Sequence, residues 1–126
     1  MDVERQIAYW RDGANEDFEV ALVLMETGRV RHALFFAELA LEKMLKAHVV
    51  KTLREVPPRT HNLIRLLELA ELRLTEKQQE FLGRFQEYCL EGRYPESVPV
   101  PLDSAEAKTK MNQCQEMLQW LMNRFD

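Results

Sequence analysis

Glycine and cysteine are both scarce in this sequence, and neither is spaced for the chemistry it usually serves. Only four glycines occur in 126 residues, too few turn formers for a fold of many short strands. None of them falls in a Gly-x-Gly-x-x-Gly or P-loop pattern, so the glycine-built phosphate cradles are absent. The two cysteines, Cys89 and Cys114, have no CxxC spacing, which excludes a zinc knuckle and a thioredoxin-type pair. Both read as reduced, semi-buried thiols. The residues three before His32, His48 and His61 are Arg29, Leu45 and Pro58, so the Glu-x-x-His signature of di-iron bundles is missing and no metal is expected. His32 and His48 lie more than four turns apart on one helix and cannot share a ligand. They read as packed or solvent-facing side chains, and no Ser-His-acid arrangement stands out. The longest apolar runs, Val20 to Met25 and Ala33 to Ala37, are far below membrane-spanning length. The opening Met1-Asp2-Val3-Glu4-Arg5 is not a signal peptide. A soluble, cytoplasmic protein with no cofactor and no membrane contact is the expectation.

What is present points to helices. Hydrophobic residues make up 46% and charged residues 30% of the chain, enough for one core in a single domain over residues 1–126. The net charge of −4 is unevenly spread: residues 1–28 sum to −5, residues 29–65 to +5 and residues 66–126 to −4. A basic middle segment in an acidic chain has two readings. It is a local anion site, since potential is set by charges within about a Debye length of 8–10 Å, or its cations pair with the acidic helices beside it.

Periodicity gives five helices. Ile7, Trp10, Ala14, Phe18, Ala21, Leu22 and Met25 recur at spacings of three and four, which predicts a helix over about Asp2 to Thr27, ended by a left-handed Gly28. Gly13 is a candidate kink. The second helix, about Val30 to Leu53, is apolar around most of its circumference, so it should be central and covered on several sides, by other helices or by a second subunit. Pro57-Pro58 stops helical propagation. A short third helix starts near Thr60 or His61 and carries Leu63, Ile64, Leu66, Leu67 and Leu69. Thr75-Glu76-Lys77-Gln78 has the form of a capping box and opens a fourth helix that runs to about Glu91. Gly92 to Pro101 is a proline-rich loop. Asp103 or Ser104 caps a last helix that carries Met111, Cys114, Met117, Leu118, Leu121 and Phe125. The expected fold is all-α, an up-and-down bundle of four long helices plus one short one.

Three stretches stand out on this pattern. They are Ala37-Glu38-Leu39-Ala40-Leu41-Glu42-Lys43-Met44-Leu45-Lys46-Ala47 on the second helix, Thr60-His61-Asn62-Leu63 after the double proline, and Tyr88 followed by Gly92-Arg93-Tyr94-Pro95. Together with Trp10, Asp17 and Ala21 they resemble the HEPN family over nearly the whole chain. The resemblance implies a helical bundle that usually dimerises, and a small nucleotidyltransferase partner, often as a toxin and antitoxin pair. It further implies, for many members, a metal-independent ribonuclease site in which four to six residues separate an arginine from the histidine that follows it. Arg93 matches the arginine. The histidine positions hold Val98, Pro99 and Val100, so that motif is broken. Metal-free RNA cleavage needs a group that moves a proton near neutral pH, which imidazole does and guanidinium does not.

Binding is therefore favoured over cleavage, with no catalytic residue assigned. Arg93 keeps a fork suited to phosphate and Tyr94 a ring suited to stacking on a base; alternatively, Arg93-Tyr94-Pro95 is a helix terminator packed on the bundle. Lys43 and Lys46 share a helix face and either contribute to a nucleotide or RNA-phosphate site or form a solvated stripe salt-bridged to the acidic first helix. His61, at a helix start, belongs to the same site or serves as a cap. The leading expectation is a nucleotide- or RNA-phosphate-binding module, as a homodimer or with a nucleotidyltransferase. The alternatives are a ribonuclease toxin with a variant site and a purely structural interaction domain.

Overall fold

The computed structural model describes residues 1–91 and 103–125. Its helices are α1 (Val3–Glu26), α2 (Val30–Leu53), α3 (Leu63–Leu69), α4 (Glu76–Glu91) and α5 (Ser104–Met122), and no strand occurs among the described residues. The all-α bundle expected from periodicity is the fold observed. No helix among the described residues is long and apolar enough to cross a membrane.

Local chemistry sets the helix ends. The Asp2 side chain accepts from Arg5 N at 3.1 Å and caps α1. At the other end Gly28 adopts φ 79°, its N–H donates to Met25 O at 3.2 Å, and Arg29 N donates to Leu24 O at 2.9 Å. This is a Schellman closure, which favours the residue that lacks a Cβ. α1 runs unbroken through Gly13, so that glycine is not a break. The capping box read from the sequence closes α4: Gln78 N donates to Thr75 Oγ1 at 3.1 Å and Thr75 N to Gln78 Oε1 at 2.9 Å. Asp103 caps α5 through Glu106 N at 2.8 Å.

The start of α3 differs from expectation. Its cap is Asn62, whose Oδ1 accepts from Ile64 N at 3.0 Å and Arg65 N at 3.2 Å, while Thr60 Oγ1 accepts from Asn62 N at 3.2 Å. Asn ranks above Thr as a cap, and using it leaves His61 outside the helix. Leu63 N, another free donor of the first turn, bonds Gln86 Oε1 of α4. α5 also stops earlier than its apolar pattern suggests. Phe125 lies beyond its end and folds back to stack on His48, centroids 4.0 Å apart and planes at 20°.

α2 is the central element. It packs along α1 as an antiparallel hairpin and also meets α3, α4 and α5. Leu34, Leu41, Met44, Leu45, Val49 and Val50 are all within 1% of full burial, and each such side chain contributes roughly 1.5–3 kcal/mol of transfer free energy. The helices of one chain therefore cover most of the apolar circumference of α2. Among its large apolar residues only Phe35 and Leu53 are exposed, so the apolarity of α2 does not by itself call for a second subunit. Exposed apolar residues lie instead on α1, where Tyr9, Val20 and Val23 are 67%, 42% and 58% exposed, with the exposed carboxylates Asp12, Glu16 and Glu19 between Tyr9 and Val20.

Candidate functional site

Four polar side chains interrupt the buried face of α2: Glu38, Glu42, Lys46 and His48. Burying an ion is costly unless it is paired, so each position needs an account.

His48 is structural. Its Nε2 donates to Leu121 O at 2.7 Å and its ring stacks on Phe125. Burial pushes its pKa below the ordinary 6.5, and Lys51 and Arg124 push the same way against the opposing effect of the Leu121 carbonyl. His32 is exposed on α2 and takes part in no cluster of described residues. Both cysteines are buried; the Cys89 thiol donates to Leu34 O at 3.8 Å, and burial raises the pKa of Cys114 far above its ordinary value.

Glu42 is the hub of the remaining cluster. One turn along α2, Lys46 Nζ donates to Glu42 Oε2 at 3.1 Å, both side chains being less than a tenth exposed. At an effective dielectric near 20 that attraction is about 5 kcal/mol before desolvation, which removes a similar amount. The net effect is orientation more than stability. From the connection between α2 and α3, His61 Nδ1 donates to Glu42 Oε1 at 3.0 Å and lies 3.2 Å from Oε2. The His61 side chain is 72% exposed, so the carboxylate fixes the ring by one nitrogen and leaves Nε2 for solvent or a ligand. Lys46 also sits 5.2 Å over the Trp10 ring of α1, a cation–π contact that holds the ammonium from its other side.

Lys43 faces α1. Its Nζ is 2.7 Å from Asp17 Oδ2, and its stem passes over Gly13, where an added Cβ would meet Lys43 Cδ at 3.4 Å, an ordinary contact distance. The second reading of the basic segment holds for Lys43, which pairs with Asp17 of the acidic α1, whereas Lys46 pairs with Glu42 of its own helix.

Beside the hub lies a cleft of about 320 Å³ lined by Phe35, Glu38, Leu39, Glu42 and His61. Phe35 is braced edge-to-face by Phe36, centroids 5.8 Å apart, and Phe36 packs on the core. A second opening of about 320 Å³, with Phe81 and Trp120 in its wall, lies between α4 and α5. Its charged residues, Lys77 and Glu116, are both exposed.

Of the site residues expected from sequence, the structure joins Lys46 and His61 through Glu42, and seats Lys43 separately on Asp17. Arg93 and Tyr94 lie outside the described residues. Sequence reasoning missed Glu42 as the hub, although Glu42 and Lys46 have the i, i+4 order that pairs best on a helix. It also missed Phe35, Glu38 and Leu39 as cleft walls, for which the sequence carries no signal beyond an apolar helix.

Comparison with known proteins gives a consistent result. The HEPN domain family model matches residues 7–124. No curated protein matches the chain. Among solved structures, the crystal structure of TT1696 from Thermus thermophilus is similar, with 22% identity, a TM-score of 0.77, and 94% of this chain and 97% of that one covered. At that identity the likeness shows a shared fold. The family match is the stronger statement, and because it extends from the first turns of α1 to beyond the end of α5, the chain belongs to the HEPN domain family.

Proposed function

We propose that this HEPN chain binds a nucleotide or an RNA phosphate without cleaving it, in the cytoplasm, as a homodimer and beside a small nucleotidyltransferase. The observation that carries the reading is the His61–Glu42 pair, an imidazole oriented by a buried carboxylate and largely open to solvent. Such a ring can donate from Nε2 to a phosphate oxygen. A phosphate must take that outer edge. Bonded there, it would lie about 7–8 Å from the Glu42 oxygens and meet a repulsion of about 2 kcal/mol per unit charge at an effective dielectric of 20. Lys43 and Lys46 are each neutralised by a carboxylate of their own, so they would join a phosphate site only by exchanging that partner for the phosphate. Arg93 would add a bidentate phosphate contact and Tyr94 a stacking ring. The absence of histidine at positions 98–100 supports binding over the family's arginine–histidine cleavage. The neighbouring exposed Val20 and Val23 on α1 support a protein partner at that end of the helix.

Titration calorimetry with nucleotides and a short RNA tests the reading. Binding that weakens tenfold or more in His61→Ala and Arg93→Ala variants is the expected result. No heat with any of these ligands would leave assembly as the remaining role.

One observation favours a second reading, a ribonuclease toxin with a variant site. His61 is held by one nitrogen on a carboxylate, as a general base is held. RNA cleavage by the purified protein, abolished in His61→Ala, would establish that reading against the first.

A further inference from the structure

We propose that His61 binds a phosphate only as imidazolium, so that binding at this site takes up one proton and weakens as pH rises. The inference rests on the phosphate-binding reading above and adds its regulation. It follows from where the first ring proton must sit. Glu42 is a carboxylate with Lys46 Nζ at 3.1 Å, and an ionised carboxylate only accepts hydrogen bonds. Its contacts with His61 Nδ1, at 3.0 and 3.2 Å, therefore need a proton on Nδ1. A neutral imidazole has a single N–H, so Nε2 of the neutral ring carries a bare lone pair. A phosphate oxygen is also an acceptor, and the two lone pairs would face each other. A second proton, on Nε2, turns that edge into a donor and sets a positive charge nearer the phosphate than the Glu42 carboxylate. Imidazole gains and loses this proton in the neutral range, where guanidinium and ammonium groups stay charged.

The charged groups around the ring do not take over this role. On α2, Glu42 and Lys46 balance each other, Glu38 adds a further carboxylate to the cleft wall, and Lys43 is paired with Asp17 of α1. In α3, Arg65 is paired with Glu68. From α4 the neutral Gln86 bonds the next two residues, Asn62 and Leu63. Arg59, two positions before the histidine, is exposed. The His61 side chain is itself 72% exposed, so the proton that binding takes up comes from solvent and returns there on release.

The test is calorimetry of the full chain with a 2′-O-methylated UpU dinucleotide, at intervals from pH 6 to 8.5. This probe holds one phosphodiester, has no group that titrates over that range and cannot be cut by its own 2′ oxygen. At pH 8, titrations in Tris and in HEPES should give enthalpies that differ by the heat of moving about one proton from buffer to complex. Affinity should fall about tenfold from pH 7.5 to 8.5. His61→Gln keeps an N–H donor and cannot titrate, so its affinity should hold constant over the range with no proton uptake. Wild-type affinity that stays flat with pH, with equal enthalpies in both buffers, would overturn the coupling and leave phosphate binding intact. Proton uptake that persists in His61→Gln would put the proton on another group and overturn it as well. Silence at every pH, with this probe and with a short RNA, would overturn both readings.

Discussion

Replacing Lys46 by methionine probes the Glu42 hub most directly. Methionine keeps most of the lysine stem and retains a favourable contact with the Trp10 ring, so the change removes little more than the charge. Glu42, 5% exposed, is then left with His61 as its polar partner, and the exposed imidazole can neutralise it only when protonated. Breaking a buried pair from one side costs about 3–5 kcal/mol, and the remaining histidine contact places the expectation near the lower end. For a chain of this length about 3 kcal/mol corresponds to a fall of roughly 12 °C in the midpoint of thermal unfolding. Urea denaturation at pH 7.5, followed by far-UV circular dichroism, measures the loss. The same physics predicts that the double change Glu42→Leu with Lys46→Met recovers most of it, to within about 1 kcal/mol of the starting protein, because no uncompensated charge remains. A Lys46→Met variant within about 0.5 kcal/mol of the parent would refute the hub as a buried, mutually dependent pair.

Other expectations follow from separate parts of the fold. The pKa of His48 is lowered in the folded chain, so the unfolded chain binds the extra proton first. Stability is then full above pH 6.5 and declines as pH falls through that value toward the lowered folded one; urea midpoints between pH 7.5 and 5.5 should show this slope, and His48→Gln should flatten it. Asn62→Ala should cost about 1 kcal/mol through loss of the α3 cap, read from the same denaturation curves. Glu71 holds φ 54°, a left-handed conformation that costs a non-glycine residue about 1 kcal/mol; Glu71→Gly should raise stability by about 0.5 kcal/mol once the added freedom of the unfolded chain is subtracted. Cys89 and Cys114, both buried, should resist iodoacetamide in the native protein and react fully in urea, as mass spectrometry would show.

The fold is largely legible in the sequence because its signals are local. The Gly28 stop, the Thr75–Gln78 box and the period of α1 each depend on residues within a turn or two, and each lies where the sequence puts it. The sequence reads the start of α3 too early because Thr60 and Asn62 are both cap formers and only their hydrogen bonds decide between them. The site is legible in part. Lys46 and His61 are marked by residue type, yet what unites them is Glu42, and its contact with His61 spans 19 positions of chain whose path past Pro57 and Pro58 no local rule fixes. The pairing of Lys43 with Asp17 needs the register of α1 against α2, which no local rule fixes. Arg93 and Tyr94 lie outside the described residues and stay expectations.

Consecutive residues at the head of α3 tie three helices together. His61 is fastened to α2 through Glu42, and Asn62 and Leu63 are fastened to α4 through the two ends of the Gln86 amide. The joint acts as a splice: the His61 ring and the head of α3 cannot shift without straining the hydrogen bonds that hold them to α2 and α4.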